Sequence, residues 1–301
     1  MLSVCIPVFN TDVTCLVDVL VRQKEKLNYP VEIILIDDFS DEHYRKINIS
    51  TENKVKLILL DKNIGRSGIR NLFLQYAKSE YLLFVDNDSI VSTDNFLSEY
   101  VSLIKCGDVE VACGGREYEG LRPSRDKMLR WKYGIKNESK PVEIRRKNPF
   151  RSFMTNNFLI KRNILEEIPF DERISGYGYE DTLFGFHLKR EGVKIRHIHN
   201  PVLSGGLDDN EEFLRKTEQG ILNLIKVLGY ADHDPGFIED VTLLRVYYKL
   251  SSYRLIWIVN ILFRLTKPVI KRILLRGVAS MRLFGFYKLG IMVLAFRCIK
   301  I

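Results

Sequence analysis

Five short apolar runs, Leu2–Val8, Val31–Asp37, Val55–Leu60, Tyr81–Val85 and Val109–Cys113, alternate with segments of helical periodicity. Val13, Leu16, Val17 and Leu20 repeat at the spacing of one helix face, as do Ile69, Leu72, Phe73 and Tyr76, and again Phe96, Tyr100, Leu103 and Ile104. Strands that are apolar along nearly their whole length must be covered on both faces, and strand–helix alternation supplies the cover. The expected fold is α/β: a Rossmann-type, mostly parallel sheet with helices on both faces, followed by C-terminal basic helices. Sheets of this kind bind ligands beyond the carboxyl ends of their strands.

Those ends are polar here. The first strand runs into Phe9-Asn10, the second into Asp37-Asp38-Phe39-Ser40-Asp41, the third into Asp61-Lys62-Asn63-Ile64-Gly65-Arg66 and the fourth into Asp86-Asn87-Asp88. Asp, Asn and Ser favour turns and helix caps in any protein, but four such clusters on one sheet edge point to a site. Alternating carboxylates at a strand end, Asp86 and Asp88, can share one hard divalent cation that also takes diphosphate oxygens. Glu180-Asp181 opens a helix, Glu180–Arg190, after the turn Gly176-Tyr177-Gly178-Tyr179. Acids there oppose the helix dipole; a carboxylate so placed can also take a hydroxyl proton.

Between Arg116 and Lys147 periodicity fades: eleven basic and five acidic residues are broken by Pro123, Gly134 and Pro141. This reads either as a mobile insertion over the site or as a solvated loop. Order returns with Phe153–Ile160, Asn163–Ile168 and a strand over Val193–Ile198. Of the 46 Lys and Arg, twelve lie in Arg245–Ile301, which holds no Asp or Glu; the preceding residues carry 34 basic and 38 acidic side chains. Apolar blocks interrupted by basic residues there suit helices at an anionic membrane surface, or a helical layer with its lysines outward. No aromatic–basic nucleic-acid module is visible, so no nucleic-acid partner is expected. No run of eighteen uncharged apolar residues predicts a spanning helix, and Ser3–Val8 reads as a strand rather than a signal peptide. The cysteines at 5, 15, 106, 113 and 298 are odd in number and contain no C-x-x-C, which predicts a reduced, cytoplasmic protein with Cys5 and Cys113 as small core residues.

Taken together, Ser3–Asn10, Ile36-Asp37-Asp38-Phe39-Ser40, Asn63-Ile64-Gly65 with Arg70-Asn71, Phe84–Asp88 and Gly178-Tyr179-Glu180-Asp181 resemble family 2 glycosyltransferases of the GT-A fold, of bacterial cell-envelope polysaccharide type, over about residues 2–224. The resemblance implies a GT-A-like catalytic domain over residues 1–230, with a nucleotide-binding half (1–115) and an acceptor half (116–230), then a basic helical tail (231–301). It implies inverting transfer from a nucleotide-diphosphate sugar, UDP-sugars favoured, to a glycan or lipid-linked acceptor, with Mg²⁺ or Mn²⁺, at the inner face of the cell membrane. Carried over by position, Pro7 and Asn10 line the nucleotide pocket, Asp38 reads the base and Asp37 supports the loop. Arg70 lies near the nucleotide, Asp86 contacts ribose or the metal's water shell, and Asp88 is the main metal ligand. Asp181 is the catalytic base and Glu180 an acceptor contact. One departure stands out: where many relatives have a metal-completing histidine, this chain has Ser204, with His197 and His199 upstream. Two other classes share parts of the pattern. A sugar-1-phosphate nucleotidyltransferase would need a Gly-rich basic loop after the first strand, which Phe9-Asn10-Thr11-Asp12 lacks. A non-catalytic assembly subunit would not need Asp86, Asp88 and Asp181.

Overall fold

The structure, a computed structural model, describes residues 1–107 and 109–299; the side chains of Cys298 and Ile299, and Lys300 among the basic residues counted above, lie outside the described part. In chain order the elements are β1 (Leu2–Val8), α1 (Thr14–Glu25), β2 (Val31–Asp37), α2 (Glu42–Asn48), β3 (Lys56–Leu59), α3 (Gly65–Tyr76), β4 (Tyr81–Val85), β5 (Ser89–Ile90), α4 (Phe96–Lys105), β6 (Val111–Cys113) and β7 (Arg116–Glu117). Then come α5 (Met128–Tyr133), α6 (Val142–Lys147), β8 (Asn157–Lys161), α7 (Arg162–Glu167), α8 (Glu180–Arg190), β9 (Ile195–His197) and β10 (Val202–Ser204). The chain ends in α9 (Asn210–Tyr230), α10 (Pro235–Asp240), α11 (Thr242–Ser252), α12 (Ile256–Leu275) and α13 (Met281–Ile299). These elements form two compact units.

The first unit comprises Met1–Tyr118, Glu138–Arg173 and Glu180–Gly206. Its main sheet has the order β3-β2-β1-β4-β8-β6-β9. All pairs are parallel except those of β8, which runs antiparallel to both β4 and β6. The period of two along each strand divides the core cleanly. Val4, Ile6, Val8, Leu35, Leu83 and Val85 join α1 and α4 on one face. Cys5, Ile34, Ile36, Leu82, Phe84 and Phe158 join α3, α7 and α8 on the other. As expected, Cys5 and Cys113 are buried, and burial pushes the Cys113 thiol up to about 12. A small sheet, β5-β10-β7, stands beside the main one.

The segment expected to lose regular structure does not. It carries α5 and α6, and α6 anchors to the sheet through Arg145. The buried guanidinium donates to the carbonyls of Cys113 (3.1 Å), Gly114 (3.0 Å) and Ile198 (2.7 Å). Nε donates to the Lys140 carbonyl at 3.2 Å as well; four backbone acceptors for one guanidinium compensate its desolvation and tie α6 down.

The second unit comprises Glu119–Asn137, Ile174–Tyr179 and Leu207–Ile301. Asp209 caps α9 by accepting from the Glu212 amide at 2.8 Å, and Asp234 caps α10 ahead of Pro235. Tyr133, Phe213 and Phe284 form an aromatic cluster with centroids 5.5–5.7 Å apart. The grouping departs from the expected boundary at residue 230: α9 packs with α13. Within the basic tail, burial differs from helix to helix. Phe284, Tyr287, Met292 and Val293 of α13 are fully buried, so α13 is a core helix and not a surface one.

Candidate active site

The candidate site residues lie in the first unit, at the carboxyl ends of β1, β2 and β4, on α3 and at the start of α8. In the main sheet the chain leaves β1 toward β2 and β3 on one side, while β4 lies on the other. The β1–β4 ladder ends at Cys5↔Phe84, whereas β1 continues beside β2 to Val8↔Asp37. Pro7 sits on this continuation, past the last β4 pair, where a central strand tolerates a residue without an N–H. The strand order reverses between β1 and β4, and such a switch point is the usual ligand position in sheets of this kind.

Asn10 closes the β1 end. Its backbone is left-handed (φ 47°); its amide donates to Ser40 Oγ (2.9 Å) and its side-chain oxygen accepts from the Asp41 amide (2.7 Å). Phe39, also left-handed (φ 65°), is thereby held outward. Phe9 and Phe39 wall a cavity of about 520 Å³ together with Ser40, Asp41, Arg45 and Asn63. Asp37 accepts from the Ser40 amide and from Arg45 Nε (2.9 and 3.0 Å), which is the loop-supporting role expected of it. Asp38 is 4% exposed, and its two oxygens accept the Ile64 and Gly65 amides at 2.7 and 3.0 Å. Desolvation raises its pKa, opposed by these two hydrogen bonds. Asp38 thus secures the entrance to α3, and any contact to a base uses the remaining lone pairs.

Helix α3 joins the two acidic clusters. Arg70, buried under Phe170 with its guanidinium 5.6 Å from the ring centroid, reaches Asp86 Oδ1 at 3.2 Å. Its other terminal nitrogen donates to the Arg66 carbonyl at 3.0 Å. Arg66 in turn pairs with Glu180 Oε1 at 3.0 Å. Neighbours one turn apart on the helix face therefore link Asp-Asn-Asp to Glu-Asp. Glu180 is buried, and its Oε2 has no hydrogen-bond partner among the described residues. Asp181 is half-buried; Oδ1 accepts the Thr182 amide at 2.7 Å. Desolvation first, and the Glu180 carboxylate second, raise the Asp181 pKa to about 6, a range suited to a general base working near neutrality.

The small sheet holds the other end. Asn87 donates to the Phe9 carbonyl (3.2 Å) and Thr11 Oγ1 (3.1 Å), fixing the Asp-Asn-Asp loop to the β1 end. Asp88 Oδ2 pairs with Arg116 at 2.8 Å, and the same guanidinium nitrogen reaches Ser204 Oγ at 2.6 Å. Thus the serine at the histidine position stands beside the expected metal ligand, with an arginine between. His197 does not replace it. Both its ring nitrogens are engaged, Nδ1 with Arg145 (3.0 Å) and Nε2 with the Pro149 carbonyl (2.9 Å). Burial pushes its pKa down to about 4, which marks a neutral structural histidine; His199 is exposed.

Among the described residues no group of three or more His, Cys, Asp or Glu is placed to hold a metal ion. The donor set nevertheless fits Mg²⁺ or Mn²⁺. Asp88 Oδ1 and Asp86 Oδ2 accept no hydrogen bond among the described residues, and hard cations of this size are held by one or two carboxylates plus substrate phosphates and water.

Gly205 is required for this geometry. Its amide donates to the Asp88 carbonyl at 2.6 Å, and an added Cβ would meet that carbonyl oxygen at 2.6 Å; Gly206 faces open space. Gly205→Ala is expected to weaken binding of a nucleoside diphosphate with Mn²⁺ about tenfold, roughly 1.4 kcal/mol, while Gly206→Ala leaves it unchanged. Isothermal titration of both variants checks this.

Sequence reasoning missed Arg66, Arg116 and the two aromatic walls. The one usable signal was the i, i+4 spacing of Arg66 and Arg70.

A family model described as glycosyl transferase family 2 matches residues 3–169, more than half of the chain. The match takes in Asp38, Arg70, Asp86 and Asp88 and stops before Asp181. A chondroitin synthase of Pasteurella multocida is 27% identical over 251 residues, 70% of this chain. An O-antigen chain rhamnosyltransferase of Salmonella anatum is 25% identical over 218 residues, 66% of this chain. The chain spans 25% of the length of the first and 65% of the second. A mannosyltransferase from Pyrobaculum calidifontis, solved with GDP-Man and Mn²⁺, covers 99% of this chain and is itself covered to 86%, with a TM-score of 0.60 at 14% identity. For glucosyl-3-phosphoglycerate synthase from Mycobacterium tuberculosis, solved with Mn²⁺, UDP-Glc and phosphoglyceric acid, the coverages are 76% and 80%, with a TM-score of 0.53 at 17% identity. At such identities the structural likeness speaks for the fold alone. The family model spans the strand-end motifs from Asn10 to Asp88 and more than half of the chain, and the chain belongs to glycosyl transferase family 2.

Proposed function

We propose that this protein is an inverting glycosyltransferase that moves a sugar from a nucleotide-diphosphate donor, a UDP-sugar in first place, to a hydroxyl of a glycan or lipid-linked polysaccharide precursor. The observation that carries the reading is the linkage of Asp86 to Glu180-Asp181 through Arg70 and Arg66. It ties a phosphate-side cluster to a proton-accepting cluster. Relatives named as a chondroitin synthase and an O-antigen chain rhamnosyltransferase, and fold neighbours solved with GDP-Man or UDP-Glc and Mn²⁺, support the reaction class.

In this reading Pro7, Asn10 and Asp38 shape the nucleotide pocket, and Asp88 with Asp86 would hold Mg²⁺ or Mn²⁺. When bound, the cation neutralises charge on the departing diphosphate. The chain's own groups do the rest. Glu180 Oε2, buried and unpartnered, accepts a hydrogen bond from the acceptor and orients it. Asp181 takes the proton from the acceptor hydroxyl as its oxygen forms a bond to the anomeric carbon. The bond from that carbon to the diphosphate oxygen breaks on the opposite side, the electron pair leaves with the diphosphate, and the configuration inverts. Among the described residues no helix is long and apolar enough to cross a membrane. The proposed place of action is the inner face of the cell membrane, where lipid-linked acceptors are displayed.

A thermal-shift panel of UDP, GDP and CDP with and without Mn²⁺ tests the reading. A ligand at 100 times its dissociation constant stabilises by about 2.7 kcal/mol. A Mn²⁺-dependent shift, largest with UDP, is expected, together with slow UDP-sugar hydrolysis. Absence of any nucleoside-diphosphate shift overturns the reading. Pyrophosphate release from UTP and a sugar 1-phosphate would replace it with nucleotidyl transfer, and binding without turnover of any donor with any hydroxyl acceptor would replace it with a non-catalytic subunit.

A further inference from the structure

Helix α12 is apolar on two opposite faces. One face is inside the second unit. Val259 packs with Leu289 and Val293, Phe263 meets the Phe286 and Tyr287 rings at 5.9 and 5.7 Å, and Ile270 and Leu274 are buried further along. The other face is in solvent. Trp257, Ile261, Leu265 and Val269 recur every fourth residue, flanked by Ile258 and Leu262, and all six are exposed, Trp257 to 61% and Leu265 to 73%. A helix that is apolar all round is normally covered all round, and a contiguous exposed apolar stripe marks an interaction surface.

The charge around the stripe selects the partner. Arg254, Arg264, Lys271, Arg272 and Arg276 are exposed at its flank and its carboxyl end. From Arg245 to the last residue there is no carboxylate side chain. A second copy of the chain docked face to face would set these cations against each other; among the described residues only Lys271 of them is paired to an acid, Glu218 of α9 at 3.9 Å. An anionic lipid leaflet meets both requirements, taking apolar side chains into the acyl boundary and basic ones at the headgroups. We propose that the solvent face of α12 lies in the headgroup layer of an anionic membrane. α13, of similar composition, does not take part, since its apolar residues form the core of the unit. The assignment is independent of the donor chemistry proposed above.

The test uses the full chain carrying Trp131→Phe, which leaves Trp257 as the sole tryptophan, since the sequence holds two. Phosphatidylcholine vesicles are compared with vesicles containing phosphatidylglycerol. The expected result is co-sedimentation and a blue shift of Trp257 emission with anionic vesicles only. Both should weaken as the Debye length falls from about 10 Å at 0.1 M salt to about 3 Å at 1 M. Leu265→Gln with Ile261→Gln should reduce the bound fraction about tenfold. Leu121→Gln, an exposed apolar residue outside the stripe, should not change it. Both are solvent-face changes, and an unaltered melting temperature of each variant without ligand confirms that the fold persists. Equal binding to neutral vesicles, or no binding to anionic ones, overturns the proposal. A concentration-dependent dimer abolished by the same double substitution would assign the face to a second copy instead.

Discussion

Asp181→Asn is expected to lower turnover by about 10²- to 10⁴-fold, the usual contribution of a positioned general base, with donor affinity kept. The substitution preserves size and the acceptor for the Thr182 amide and removes the negative charge and with it the proton affinity. Because the Asp181 pKa stands near 6, kcat of the unsubstituted protein should fall as pH drops through about 6. Glu180→Gln should move that limb to lower pH, since the Glu180 charge is the second cause of the upward shift. Stability gives a separate readout. The folded protein holds this proton more tightly than the unfolded chain, so between the ordinary carboxylate range and pH 6 the folded state binds more protons. Stability then declines as pH rises across that window. Asp181→Asn removes this contribution to the decline, and a thermal melt at neutral pH should show the variant at least as stable as its parent. Normal turnover in Asp181→Asn with the acceptor supplied would leave Asp181 as a helix-start residue alone.

Much of this geometry was legible in the sequence, for identifiable reasons. β1, β2 and β4 fall where their apolar runs place them, because a strand buried on both faces admits few other residue types. The Asp-Asn-Asp and Glu-Asp clusters were visible as polar interruptions at element ends. What was hidden is what depends on pairing distant segments. Arg66 and Glu180 are 114 residues apart, and no local pattern announces their ion pair. Arg116 read as one more cation in a basic segment. Its neighbourhood with Asp88 and Ser204 exists only because β7 and β5 pair on either side of β10. α5 and α6 are single short helices of six residues each, below the length at which periodicity declares itself. α12 and α13 share composition, and only their partners make one a two-faced helix and the other a core helix.

Asp88→Ala should abolish the Mn²⁺-dependent part of nucleotide binding. The expected loss is the whole metal-dependent thermal shift, about 2.7 kcal/mol at a ligand concentration 100 times the dissociation constant. The protein should still fold, because Asp88 is partly exposed at a sheet edge and contributes nothing to either core cluster. Arg116 sharpens the test. It holds Asp88 Oδ2 at 2.8 Å and Ser204 Oγ at 2.6 Å, so a cation entering the site must compete with a guanidinium already paired to the same carboxylate. Arg116→Gln should therefore strengthen Mn²⁺ binding in the absence of nucleotide, whereas Asp88→Ala removes it. In the double variant the Arg116 effect should vanish, because its target is gone. A cycle over the two positions measures that coupling, which for groups in direct contact reaches about 0.5–3 kcal/mol. Unchanged Mn²⁺-dependent UDP affinity in folded Asp88→Ala, or additive effects of the two substitutions, would place the metal away from the β4 end and break the link between the carboxylate pair and the diphosphate.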